Sequence, residues 1–158
     1  MQTSFTDKQL LDKDNKSSES ILRKCVHCGM CNATCPTFCV NGEELEGPRG
    51  RIYLIKDMLE NKKPANKKVV KHIDSCLSCY SCMTTCPSGV NYMHLIDHGR
   101  NYVEETYKRP FFDRLFRNVL SFVLPRPKVF LALAYLSKLI KPFSFLLPTF
   151  LKNSLNLM

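Results

Sequence analysis

The chain lacks several features that would have set its class at once. Its first eighteen residues, MQTSFTDKQLLDKDNKSS, hold no apolar core of the kind a secretory leader needs, so export is not expected. The longest uncharged run of the apolar C-terminal part, Pro142 to Leu151, is ten residues and contains two prolines, too short for a bilayer span. No convincing pair of alternating apolar segments suggests strands, which leaves a mostly helical fold. Acid is nearly absent from the C-terminal third. Residues 108–158 carry 9 Lys/Arg against 1 Asp/Glu, whereas 1–107 carry 14 against 13. The net charge of +9 therefore belongs to the tail.

Cysteine is what the chain has in excess, with nine residues and none after Cys86. Eight of them form two copies of Cys-x2-Cys-x2-Cys-x3-Cys-Pro, in CVHCGMCNATCP (25–36) and CLSCYSCMTTCP (76–87). Three thiolates two residues apart let one tight loop hold one corner of a cubic iron-sulfur cluster, and in two-cluster proteins the fourth cysteine ligates the other cluster. The spacing thus assigns Cys25, Cys28, Cys31 and Cys86 to cluster one, and Cys76, Cys79, Cys82 and Cys35 to cluster two. Such crossing ties distant segments through metal, so an apo form is expected to be poorly folded. A single all-cysteine zinc site leaves four thiols unexplained. Two zinc sites use all eight but require neither the third cysteine nor the proline. Disulfides fit poorly with an odd count and no leader, and a reducing, cytoplasmic compartment suits thiolate ligands.

Eight thiolates and two oxidised cores would bring the loaded chain to about +5. With no reading motif or aromatic stacking platform, a nucleic-acid partner is not expected.

Along the chain, residues 1–18 read as a polar, solvated arm with at most a turn of helix over Asp7 to Asp12, and Ser17 to Ser20 offer a cap for a short helix leading to Cys25. Gly29 suits a positive φ within the first loop; its counterpart is Tyr80, or Ser81 beside it. Pro36 and Pro87 suit the first turn of a helix, with shielding of the cluster as the alternative role. Pro48 suits a further helix start, with Ile52, Ile55, Met58 and Leu59 on one stripe, and Val69, Val70 and Ile73 mark a short helix into Cys76. Tyr92, Leu95, Ile96, Tyr102, Val103 and Tyr107 define a longer amphipathic helix. Arg49 and Arg51 oppose the dipole at their helix start, which either surface ion pairs or a nearby anionic cluster would explain. The imidazoles of His27, His72, His94 and His98 are expected to pack rather than ligate. The domain order is an arm over 1–18, a two-cluster domain over 19–107 and a basic amphipathic helical extension over 108–158.

CVHCGMCNATCPT, GEELEGPRGRIYLIKDMLE and CLSCYSCMTTCPSGVNYMHLIDHGR together resemble the N-terminal half of the glycolate oxidase iron-sulfur subunit family, over roughly Ile21 to Pro148. The resemblance implies an α-helical ferredoxin-like domain with two [4Fe-4S] clusters. It also implies flavoprotein partner subunits that carry FAD and oxidise glycolate to glyoxylate, and electron relay toward the membrane quinone pool. On that reading the chain is the electron-transfer subunit of an oxidoreductase and performs no substrate chemistry itself. The ligand roles fall on Cys25, Cys28, Cys31, Cys35, Cys76, Cys79, Cys82 and Cys86. A related subunit serving lactate, glycerol 3-phosphate or a heterodisulfide is the alternative within the class, and a zinc-stabilised basic interaction module is the alternative outside it. The family continues into two further cysteine-rich repeats that this chain does not contain.

The tail reads as three short helices broken near Pro125, Pro127, Pro142 and Pro148. Packing against the missing repeats is preferred to peripheral attachment at the cytoplasmic face of the inner membrane, because Leu and Phe at helical spacing usually form core. Cys39, the ninth cysteine, reads as a small buried apolar residue. Cys39→Ser should leave iron content unchanged, and loss of a whole cluster's iron on direct metal analysis would show the ligand set to be wrong.

Overall fold

Prolines, asparagines and one aspartate set most of the helix starts. The computed structural model describes residues 1–140, with side chains to residue 135. Helix α1 (Asp7–Leu10) begins at a Thr6–Gln9 capping box, and α2 (Lys13–Lys24) at Asp12, whose carboxylate accepts from the Asp14 amide. Pro36 and Pro48 occupy the first turns of α3 (Pro36–Asn41) and α4 (Pro48–Asn61), where a missing N–H costs nothing. Asn66 caps α5 (Lys67–Asp74), α6 (Ser81–Thr84) is a single turn, and Asn91 caps α7 (Tyr92–Thr106). Two helices follow, α8 (Phe111–Val123) and α9 (Pro127–Ile140). No strand occurs among the described residues.

The chain divides into two units, Met1–Lys108 and Arg109–Met158. In the first, α4 is central and packs on α2, α5 and α7. Its stripe of Ile52, Ile55, Met58 and Leu59 is buried with Leu22, Ile73, Leu95, Ile96 and Val103. Each such side chain contributes on the order of 1.5–3 kcal/mol. Gly99 lets α7 close on α4, since a Cβ there would lie 2.9 Å from Ile55 Cγ1.

The N-terminal segment differs from the solvated arm expected of it. Met1 donates through its ammonium to the Leu22, Arg23 and Cys25 carbonyls, and buried Gln9 donates to Leu59 O at 2.8 Å. The helix into Cys25 starts at Lys13 rather than near Ser17. Capping by Thr6 and Asp12, two weak local signals in a polar stretch, brings this segment onto the core. Pro87 also differs from expectation: it sits in a turn, and the next helix begins only at Tyr92.

On α8, Phe112, Leu115, Phe116, Val119 and Phe122 are exposed, and Asp113 pairs with Arg109 (3.3 Å) and Arg117 (3.2 Å). The expected break at Pro125 to Pro127 separates α8 from α9; the expected breaks at Pro142 and Pro148 lie outside the described residues. No described helix is long and apolar enough to cross a membrane.

Gly50, in the first turn of α4, faces the backbone of the preceding 3-10 turn, Glu44–Glu46. A Cβ there would meet the Glu44 carbonyl and, at 2.8 Å, Leu45 Cα. Gly50→Ala should therefore destabilise by about 1–3 kcal/mol, because backbone cannot move aside as a side chain can. Anaerobic urea denaturation checks this, and an unchanged midpoint would refute the tight approach.

Candidate metal centre

The two cysteine runs share a backbone turn around their second cysteine. The first leaves α2 at Cys25, which ends the helix, and the second follows α5. In each, the residues flanking the second cysteine take left-handed φ: His27 (58°) and Gly29 (84°) in the first run, Ser78 (51°) and Tyr80 (57°) in the second. The sequence pointed to Gly29 and to Tyr80 or Ser81, of which Tyr80 takes the left-handed φ; His27 and Ser78 had no glycine to signal them. A non-glycine residue there costs about 1–2 kcal/mol, and such strain persists only where the surroundings fix it. Cys35 then caps α3, and Cys86 enters the turn at Pro87.

Two cavities receive the thiols. One, of about 30 Å³, is lined by Cys25, Cys28, Cys31, Cys82 and Cys86. The other, of about 20 Å³, is lined by Cys35, Cys76, Cys79 and Cys82. Cys35 and Cys86 thus each face a cavity belonging mainly to the opposite run. Cys82, Pro48 and Tyr92 line both.

All nine cysteines are free thiols. Burial, then the neighbouring Cys25, pushes Cys31 up to about 11, with Cys86 and Cys28 adding to it. Burial, then Cys31, Cys76, Cys35 and Cys79, pushes Cys82 up to about 12. Crowding of sulfur on sulfur is unfavourable unless a cation takes the place of the protons, which suits an all-thiolate metal site. Cys79 is drawn down by the Ser81 amide and hydroxyl. Cys39 lines neither cavity and is exposed, donating to Ala33 O at 3.4 Å. The expectation that it is buried is corrected: α3 is one and a half turns long and turns this residue outward.

Beside the smaller cavity lies a buried polar network. Arg51, 1% exposed, donates from Nε to His72 O (2.7 Å) and from Nη2 to Glu46 Oε2 (2.9 Å), Thr37 Oγ1 (3.0 Å) and Ser75 Oγ (3.0 Å). His72 Nδ1 lies 2.8 Å from Glu46 Oε1. Burial raises the Glu46 carboxyl, but hydrogen bonds from Ser75 and His72 and the charge of Arg51 outweigh it and hold it below the ordinary value. Glu43, Glu46 and His72 could by spacing hold a cation. The Arg51 guanidinium already occupies Glu46, so the cluster reads as an ion-paired brace.

The two arginines thus divide the explanations offered for them. Arg49 makes a half-exposed pair with Glu44 (3.4 Å), while Arg51 is buried against a thiol. His98 Nδ1 bonds Ser18 Oγ (2.7 Å), and His27 lines the larger cavity with its ring stacked on Tyr53. Tyr92 was legible only as a member of the α7 stripe. Its hydroxyl reaches Cys76 Sγ at 3.7 Å, a contact no spacing rule signals.

Helices framing two thiol-lined cavities define a cluster-binding domain, and residues 21–90 match the family described as the 4Fe-4S dicluster domain. The chain carries that domain there. It is similar to the glycolate oxidase iron-sulfur subunit of Escherichia coli (strain K12), 50% identical over 143 residues, which make up 90% of this chain and 35% of that protein. A probable glycolate oxidase iron-sulfur subunit of Bacillus subtilis (strain 168) is 32% identical over 71% of this chain and 26% of its own length. The mitochondrial succinate dehydrogenase iron-sulfur subunit of Candida glabrata is 27% identical over 49% of this chain and 33% of its own. The chain therefore spans about a third of the length of the curated relatives it matches. No solved structure matches it.

Glu46→Gln leaves the buried Arg51 without its counter-charge, which should cost about 3–5 kcal/mol. The anaerobic urea midpoint of the variant should fall well below that of the wild type; an equal midpoint would show that the pair does not brace the fold.

Proposed function

We propose that the chain holds two [4Fe-4S] clusters and serves as the electron-transfer part of a glycolate oxidase-type complex. The observation that carries this is the exchange of fourth cysteines between the cavities. Cys25, Cys28, Cys31 and Cys86 would hold one cluster, and Cys76, Cys79, Cys82 and Cys35 the other. Such clusters supply one-electron redox chemistry, which suits draining a two-electron flavin in single steps. The chain's own part is to supply eight thiolates, to keep Cys25, Cys35 and Cys82 away from water, and to hold the two sites apart by the thickness of Cys82, Pro48 and Tyr92.

Partner flavoproteins carrying FAD would oxidise glycolate to glyoxylate, and the electrons would pass toward quinone. Support for this rests on the similarity to the two glycolate oxidase subunits. A cytoplasmic location, at the inner face of the inner membrane through the partner subunits, accords with nine free thiols. The exposed Phe and Leu side chains of α8 read as a packing face for protein rather than for lipid.

Anaerobic reconstitution should load about eight irons and eight sulfides per chain, with two four-iron EPR signals. Cys86→Ala should perturb the same signal as Cys28→Ala, and Cys35→Ala the same signal as Cys79→Ala. Pairing of Cys86 with Cys79 and Cys35 with Cys28 would overturn the ligand assignment. Reduction of both signals by glycolate, in the presence of the flavoprotein partners, tests the substrate; reduction by lactate alone would redirect it.

A further inference from the structure

The two cysteine cavities present similar backbones but different hydrogen-bond donors to their sulfurs. Around the Cys35, Cys76, Cys79 and Cys82 site, three side chains aim a proton at a ligand sulfur. Arg51 Nη1 lies 3.8 Å from Cys35 Sγ, Tyr92 Oη 3.7 Å from Cys76 Sγ, and Ser81 Oγ 3.6 Å from Cys79 Sγ. Thr37 Oγ1 is also close to Cys35 Sγ, at 3.2 Å, but its proton has the nearer Glu46 carbonyl at 2.7 Å as acceptor. Around the Cys25, Cys28, Cys31 and Cys86 site, no side chain of the described residues aims a proton at a ligand sulfur; the donors are backbone amides, that of Val90 at 3.5 Å from Cys86 Sγ and that of Cys31 at its own thiol.

Each site has one exposed cysteine, Cys28 or Cys79, but the second has two buried ones, Cys35 and Cys82, against Cys25 alone in the first, and burial disfavours the extra negative charge of reduction. Charge separates the sites in the opposite direction. Arg49 lines the larger cavity but is 44% exposed and paired with Glu44, so water screens it. Arg51 is 1% exposed. Glu46 balances it through Nη2, while Nη1, the nitrogen nearest sulfur, is directed at Cys35. Donors and positive charge directed at cluster sulfurs favour the more negative, reduced form, and they act more strongly in a buried site.

We infer that Arg51, with Tyr92 and Ser81, sets the two sites apart in potential, so that the Cys35, Cys76, Cys79 and Cys82 site holds the more easily reduced cluster. Arg51 acts as a positioning and tuning residue. Its fork is locked by four acceptors, His72 O, Glu46, Thr37 and Ser75, which leaves Nη1 no freedom to turn from the sulfur. The inference rests on the two-cluster reading above.

The test is EPR-monitored potentiometry of the full, anaerobically reconstituted chain. The wild type should show two four-iron signals of different midpoint, with Cys79→Ala perturbing the higher. Arg51→Lys keeps the cation but loses the fork, and should lower the higher midpoint alone by about 59 mV, a tenfold loss in a one-electron reduction equilibrium. Tyr92→Phe keeps the buried ring and removes only the O–H; it should lower the same midpoint by a smaller amount with iron content unchanged, and it remains informative if the arginine variant fails to load iron. The inference is overturned if Tyr92→Phe leaves the higher midpoint in place, if both midpoints move together, or if Cys79→Ala perturbs the lower one. A wild-type sample without two four-iron signals sinks the two-cluster reading and this inference with it. Two signals indifferent to these side chains sink the inference alone.

Discussion

The proposed two-cluster reading rests on each cysteine loop being one thiol short of a four-thiolate site. Three cysteines at two-residue intervals can line one side of a cavity, and the chain then turns at the x3-Cys-Pro end, so the fourth faces the neighbouring cavity. Everything in the first unit serves to keep the loops side by side. Helices α2 and α5 deliver them, α7 packs across both helices, and α4 lies at the centre with Pro48 on the wall between the cavities. A fold with this few buried apolar residues has little else to fall back on, because small cores contribute only a few kcal/mol beyond the entropy of ordering the chain.

The Arg51, Glu46 and His72 network is the second constraint. Five polar partners in a buried site are stable only as a set, since removal of any charged member strands another in low dielectric. It joins the short turn before α4, the start of α4, the C-terminal end of α5 and the first turn of α3. These are the segments that carry Cys35 and Cys76 toward one cavity. The brace thus does for the polypeptide what exchanged cysteines would do for the proposed sites: it fixes segments far apart in sequence against one another.

Much of this was legible in the residues. Pro48 and the stripe of Ile52, Ile55, Met58 and Leu59 read directly as a helix with a buried face, since proline and apolar period report local geometry. Gly29 and Tyr80 could be placed because the repeated spacing aligned them. What was not legible depended on contacts across the fold. The polar N-terminal residues read as solvated because Gln9 gives no hint that it will meet carbonyls at the end of α4. Pro87 is chemically the same as Pro36, yet the Ser88–Gly89 turn takes the chain elsewhere before Tyr92. Arg51 and Arg49 are two residues apart and alike in sequence, and only the packing of α5 on α4 decides which becomes buried.

The matched left-handed residues in the two cysteine runs carry a last implication. His27 and Ser78 stand at equivalent places, as do Gly29 and Tyr80, so one mould has been cast twice in different materials. Trading side chains between the casts is not free, since a Cβ at Gly29 would sit at a left-handed φ of 84° and 3.3 Å from Arg49 Nη1. Groups around either loop can differ while the left-handed turns hold the common shape.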